Sequence, residues 1–152
     1  MTGNPEVIVA LQAALAAEAH LNLQYRKDWR NVVFAGANKL GGKLLDFGDD
    51  THRWVKKITD RILLLDGEDS YSIPAITSQP TLTDTLDNEL DLEMAIISAY
   101  EKLIATATGV DATTVHKFQH YQMYHEKHVA WLEKQLRLIA SMGEADYIGE
   151  KL

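Results

Sequence analysis

The fold is decided by residues 118–139, FQHYQMYHEKHVAWLEKQLRLI, which place two histidines among apolar residues at helical spacing. A helix turns by about 100° per residue, so His128 lies about 60° from His125 on the same side. A buried imidazole is costly unless another polar group pairs with it. The stretch therefore predicts a core helix with polar partners or a metal beside it. The apolar residues that surround His125 are Phe118, Tyr121, Val129, Leu132, Leu136 and Ile139.

Two other segments carry a carboxylate in the same kind of position. Glu18 lies in a stripe formed by Leu11, Leu15, Leu21 and Tyr25. Glu93 is central in a stripe formed by Leu82, Leu86, Leu90, Ile97, Tyr100 and Ile104. Several such groups that converge inside one helix bundle most often hold a metal. The alternative is a polar network without metal, in which the histidines hydrogen-bond the carboxylates.

A fourth segment breaks this pattern. Its apolar stripe is centred on Thr51, with Trp54 beside it, and neither residue is a good metal ligand. His52 points about 100° away from that stripe. A register shift of one or two residues would bring Asp50 or His52 inward.

Helix signals predict five helices, at about 5–34, 39–66, 82–108, 112–142 and a short one at 144–151, in a single domain over residues 1–152. Asn4 and Pro5 are a favourable N-cap and first helical residue. Short connections join the first helix to the second and the third to the fourth. Residues 68–80 contain Pro74 and Pro80 and read as a long extended connection. Two hairpins with one long crossover predict an all-α ferritin-like four-helix bundle.

Composition excludes several classes of protein. The chain has no cysteine, which excludes disulfides, zinc–thiolate sites and cysteine nucleophiles. Its net charge of −7 disfavours nucleic-acid binding and suits a protein that attracts cations. No apolar run approaches the roughly 18 residues of a membrane span, and residues 1–5 do not begin a secretory signal. We expect a cytoplasmic protein.

The chain resembles the bacterioferritin family over nearly its whole length. The strongest stretches are residues 60–67, DRILLLDG, and residues 128–133, HVAWLE, followed by Met142-Gly143 and Tyr147-Ile148. Glu18 and Glu93 match the family's single-glutamate iron ligands, and Tyr25 matches a tyrosine near the metal, which makes it the candidate catalytic residue. The resemblance implies self-assembly into a hollow twenty-four-subunit cage that stores ferric mineral and oxidises Fe(II) at a di-iron centre.

The ligand set departs from that family in two helices. Thr51 and Trp54 stand where the family has Glu-x-x-His, and His125 replaces the bridging glutamate, while His128 matches. Both bridging carboxylates are therefore missing. Glu93, His125 and His128 remain as a two-histidine, one-carboxylate set, which suits one Fe(II) or Zn(II), with Glu18 nearby. We expect iron storage with weak or absent ferroxidase activity, and co-assembly with a second, active subunit type would be one way to load such a cage.

Haem is the last expectation from the resemblance. The family binds haem b between two subunits through a methionine of the second helix, and this chain has His52 at the matching position. Imidazole is also an axial ligand of haem iron, although a surface histidine is the simpler interpretation. A non-catalytic haem-binding or structural cage subunit and a mononuclear-metal protein on the same bundle are the alternatives to iron storage.

Overall fold

The computed structural model describes residues 1–152 and contains five α-helices and no strand. The helix α1 packs against α2 and α3, and α3 packs against α4, whereas α5 packs on α4. This arrangement confirms the predicted all-α four-helix bundle. The helices are α1 (Pro5–Phe34), α2 (Asn38–Leu64), α3 (Leu82–Ala107), α4 (Ala112–Met142) and α5 (Glu144–Glu150).

Local sequence accounts for where the helices start and stop. The Asn4 side chain accepts hydrogen bonds from the backbone N–H groups of Glu6 and Val7, as an N-cap does. Thr81 and Asp111 cap α3 and α4 in the same way. The helix α2 ends at Leu64, two residues before the position expected from the sequence. It stops there because Asp66 adopts a left-handed φ of 59° and turns the chain into the crossover.

The crossover, residues 65–81, runs alongside α1 in the same direction and is tied to it by side chains of α1. Gln12 Nε2 donates to the Glu68 carbonyl at 2.6 Å, and Asn31 Nδ2 donates to Ser78 Oγ at 3.1 Å. Between them, Gln24 Nε2 donates to the Thr77 carbonyl at 2.9 Å. The crossover thus spans the length of the bundle, so α3 enters antiparallel to α1.

The core is largely apolar, and a layer of charged side chains lies within it near the middle of the bundle. Its largest fully buried residues include Leu11, Leu15, Ile58 and Phe118, but Glu18, Glu93 and His125 are buried among them. The C-terminal α5 closes one end, where the buried Tyr147 donates its O–H to Gln135 Oε1 at 2.7 Å. The structure therefore positions a polar layer that only the four long helices surround.

By length and composition, α1 is apolar enough to cross a membrane, a property that core helices of soluble proteins share. In this fold, α1 buries both apolar residues and the charged side chains of Glu18 and Asp28. Its apolar character is accounted for by packing within the bundle.

Candidate metal centre

Four predicted residues meet in the polar layer, and we call them the central cluster: Glu18 of α1, Glu93 of α3, and His125 and His128 of α4. Glu18, Glu93 and His125 are fully buried, and His128 is 4% exposed. One ligand atom from each of Glu93, His125 and His128 lies within 4.8 Å of the others. The faces of α1, α3 and α4 that the sequence predicted to carry these residues therefore meet inside the bundle.

His125 bridges the two carboxylates of the cluster. Its Nδ1 lies 2.7 Å from Glu93 Oε2, and its Nε2 lies 3.1 Å from Glu18 Oε2. Burial alone would lower the pKa of His125, but the charges and hydrogen bonds of Glu18 and Glu93 outweigh it and raise the pKa to about 10. His125 is therefore an imidazolium at neutral pH, with both of its N–H groups donated to carboxylates.

His128 extends the network toward α2. Its Nδ1 lies 2.7 Å from Glu93 Oε1, and its Nε2 lies 3.0 Å from Asp50 Oδ2. Burial opposes the charged form, yet hydrogen bonds to Asp50 and Glu93 raise the pKa of His128. Phe47 stacks on the imidazole with a centroid distance of 3.9 Å, which fixes the plane of the ring.

Two buried tyrosines complete the hydrogen bonding of the carboxylates. Tyr25 donates its O–H to Glu93 Oε1 at 2.6 Å, and Tyr100 donates to Glu18 Oε2 at 2.5 Å. Burial and the neighbouring carboxylates raise the pKa of both phenols well above the ordinary value, so both remain neutral donors. Although burial opposes it, interaction with His125 and His128 lowers the pKa of Glu93 to about 2.

The network pairs basic groups with carboxylates. His125 and His128 each direct both ring nitrogens toward carboxylate oxygens of Glu18, Glu93 or Asp50, and Arg53 forms a salt bridge with Asp50 at the edge. Metal ligation requires neutral imidazoles, so a cation competes with the protons that now hold the cluster together. One acceptor remains free, because Glu18 Oε1 is buried without a hydrogen-bond partner.

The α2 side of the layer carries no ligand from Thr51 or Trp54. Thr51 is fully buried and donates its hydroxyl to the Gly48 carbonyl at 2.8 Å. Trp54 stacks on Tyr121 with a centroid distance of 4.8 Å. The donor set therefore fits one metal ion on the α3–α4 side of the layer. It lacks the carboxylates that would bridge two metal ions.

The structure also shows which predicted residues lie away from the central cluster and which residues contact it without having been predicted to do so. His52 is exposed on α2 and does not reach the central cluster. Asp50 reaches His128 without the register shift of α2 that the sequence suggested as a route inward, because its side chain extends around the edge of the layer. Tyr100, which the sequence placed in the apolar stripe around Glu93, is a direct hydrogen-bond partner of Glu18. Only the relative rotation of the packed helices reveals these two contacts.

The sequence of the chain is similar to a family of known proteins over nearly its whole length. Residues 8–142 match the family model described as a ferritin-like domain. The chain is 30% identical to a bacterioferritin of Streptomyces coelicolor over 97% of this chain and 90% of the relative. It is 29% identical to a bacterioferritin of Mycobacterium leprae, over 97% and 94% of the two chains. It is also 30% identical to a bacterial ferritin of Pseudomonas aeruginosa over the full length of both.

Proposed function

The chain belongs to the bacterioferritin family of ferritin-like proteins, and from that premise we propose that it is a cytoplasmic subunit of an iron-storage cage. Full-length similarity to proteins named bacterioferritin supports storage, and the net charge of −7 agrees with attraction of cations. By family resemblance the cage has twenty-four subunits. Iron is the substrate and cargo of such a cage.

We propose further that Fe(II) oxidation at the central cluster is weak or absent. The observation that carries this is the position of His125, whose charged ring lies between Glu18 and Glu93 and occupies an oxygen of each. An imidazolium there repels Fe(II), whereas a bridging carboxylate would attract it. Thr51 and Trp54 leave the α2 side without compensation. Glu93, His125 and His128, with Glu18, would hold at most one iron ion, and Tyr25 would hydrogen-bond its carboxylate ligand Glu93.

The test is anaerobic addition of Fe(II) to the assembled protein, followed by air and measurement of ferric absorbance. We expect oxidation close to the rate of buffer without protein. The matched variant combines Thr51→Glu, Trp54→His and His125→Glu, which rebuilds the ligand pattern that the family resemblance implies. It should oxidise iron at least about tenfold faster than the unmodified protein. Fast oxidation by the unmodified protein, with two irons per subunit at the cluster, would overturn the proposal.

A cage without its own oxidation site would store iron in one of two ways. Mineral would nucleate on acidic residues of the inner surface, or an active second subunit type would share the cage. Mixing this chain with a ferroxidase-competent bacterioferritin during assembly distinguishes them. Mineral formation that depends on the mixed cage supports co-assembly, and equal loading of the unmixed cage supports nucleation.

A haem-binding role is a second candidate, favoured by the exposure of His52 on the outer face of α2. A symmetric dimer through this face would offer one imidazole from each copy to a haem b iron. Adding haemin should then give a bis-histidine absorption spectrum in the unmodified protein and not in His52→Ala. Absence of that spectrum in the unmodified protein, with His52→Ala behaving in the same way, would remove the haem role and leave a structural cage subunit.

A mononuclear-metal protein is the third candidate, since Glu93, His125 and His128 form a compact donor set. Two imidazoles and one carboxylate suit Fe(II) or Zn(II). An anomalous-scattering map of crystals soaked with iron would place a single peak among these residues. The peak should vanish in His128→Ala, and a peak elsewhere would count against this role.

A further inference from the structure

A second group of buried carboxyls lies one helical turn from the central cluster. Glu89 precedes Glu93 by four residues on α3 and is fully buried, and Asp28 of α1 is 1% exposed. We call Asp28 and Glu89 the acidic pair. No salt bridge involves either residue, and the nearest cationic side chain, Lys27, is exposed. The pair therefore differs from the central cluster in having no buried cation beside it.

One amide group supplies the only hydrogen bonds from outside the pair. Gln24 Nε2 donates to Asp28 Oδ1 at 3.0 Å and to Asp28 Oδ2 at 3.1 Å. The same nitrogen donates to the Thr77 carbonyl of the crossover at 2.9 Å. Both oxygens of Glu89 are buried, and no donor group hydrogen-bonds them. Gln24 Nε2 is thus surrounded by three oxygen atoms, two from Asp28 and one from Thr77.

Asp28 and Glu89 lie close enough for each carboxyl to shift the pKa of the other, and a hydrogen bond between them requires a proton on one. Burial raises the pKa of Asp28 to about 6, against hydrogen bonds from Glu89 and Gln24 and the charge of Lys27. Burial and Asp28, with a contribution from Glu93, raise the pKa of Glu89 well above its usual range. Raised pKa values at both positions are the behaviour of two buried carboxyls that share one proton when no metal is bound.

We propose that Asp28 and Glu89, with the Thr77 carbonyl, form a binding site for a hard divalent cation such as Mn²⁺, Mg²⁺ or Fe²⁺. The donor set is all oxygen and includes two carboxylates, which is the ligand chemistry that these ions prefer. Rotation of the Gln24 amide turns its oxygen toward the same point and removes the competing N–H group. The cation takes the place of the shared proton, which leaves to solvent.

The site lies directly under the crossover, because Thr77 is exposed while its carbonyl points to Gln24. A cation therefore needs to pass only one layer of chain to reach the pair. The site is distinct from the central cluster in ligand type, since it contains no imidazole. The proposal stands whether or not the central cluster binds or oxidises iron.

The test is a titration of the chelator-treated, assembled protein with Mn²⁺, with free Mn²⁺ measured by electron paramagnetic resonance. The unmodified protein should bind one more Mn²⁺ per subunit than the isosteric double variant Asp28→Asn, Glu89→Gln. The control His128→Ala, which alters the central cluster, should keep that extra ion. Equal binding by the unmodified protein and the double variant would overturn the proposal.

A second measurement does not depend on how the variants fold. The infrared C=O stretch of a protonated carboxyl should be present in the metal-free protein and disappear when Mn²⁺ saturates the site. About one proton per bound cation should be released in weakly buffered solution. A carboxyl band that persists at saturating Mn²⁺ would show that the pair holds only its proton.

Discussion

The central cluster and the acidic pair bury carboxyl groups in the same bundle, one turn of α3 apart, and neutralise them differently. In the cluster, His125 and His128 supply positive charge to Glu93 at 2.7 Å each. In the pair, Glu89 interacts with the carboxyl of Asp28, which accepts hydrogen bonds from the Gln24 amide. Burial alone therefore does not set the charge of a carboxyl, because the side chains on the facing helix decide whether it is paired with a cation or with another carboxyl.

Removing the imidazole of His125, which bridges Glu18 and Glu93, should lower the stability of the protein more than any other substitution considered. His125→Ala leaves Glu18 and Glu93 buried with fewer donors and less positive charge, and it opens a cavity. We expect a loss of about 3–5 kcal/mol in the free energy of unfolding, measured by denaturant titration of the metal-free protein. The exposed His116→Ala should change it by less than about 0.5 kcal/mol. A similar small change for both variants would mean that the cluster is not an ion-paired network.

The stability of the metal-free protein should fall as pH rises. The pKa of His125 is raised from 6.5 to about 10, so its stabilisation is fully present below about pH 6.5 and is lost through about pH 10. The slope from this group is at most about 1.4 kcal/mol per pH unit. Thermal unfolding of chelator-treated protein between pH 6 and pH 9 measures it. His125→Gln should flatten the slope, and an equally steep slope in that variant would assign the effect to other groups.

Removing one phenol from the cluster should have a moderate effect. Tyr100→Phe deletes the hydrogen bond to Glu18 Oε2 and keeps the ring that packs edge-on against His125. We expect a loss of about 1.5–3 kcal/mol, the range for hydrogen bonds to charged groups. Denaturant unfolding checks it, with Tyr124→Phe as the control because the Tyr124 hydroxyl has no such partner. Equal losses in the two variants would contradict the role of the Tyr100 hydroxyl.

The smallest effect is expected in the acidic pair. Glu89→Gln replaces the protonated carboxyl with an amide that also donates to Asp28, so stability should change by about 0.5 kcal/mol or less. The same substitution in the cluster, Glu93→Gln, should cost about 3 kcal/mol because two imidazoliums lose their shared counter-charge. If the two substitutions had similar costs, the proposed difference in protonation between the two regions would be wrong.

The sequence predicted the fold through features that act locally. Helical spacing placed Glu18, Glu93, His125 and His128 on apolar faces, and the two short loops with one long connection gave the bundle topology. Family resemblance to bacterioferritin was confirmed by full-length relatives. These predictions succeed because a helix face depends only on residues within that helix.

The parts of the site that were missed depend on packing between helices. Glu89 falls on the same face as Glu93, so its spacing of four residues was an available signal. The apolar stripe around Glu93 was instead defined by leucines such as Leu90, which is half-buried in the structure, and Glu89 was not included in it. Asp28 is buried because the crossover covers α1 there, and a connection with Pro74 and Pro80 has no periodicity that predicts its path. Asp50 and Tyr100 reach the cluster through the rotation of α2 and α3, which no single helix specifies.

The crossover is held against α1 mainly by side chains of α1 that donate hydrogen bonds to its backbone carbonyl groups, at Glu68 and Thr77. A carbonyl is present whatever residue stands at those two positions. The amino acids of the crossover are therefore free to diverge among relatives, or to be redesigned, provided that Gln12 and Gln24 are kept. We therefore expect the residues that hold the crossover in place to be conserved in α1 and not in the crossover itself.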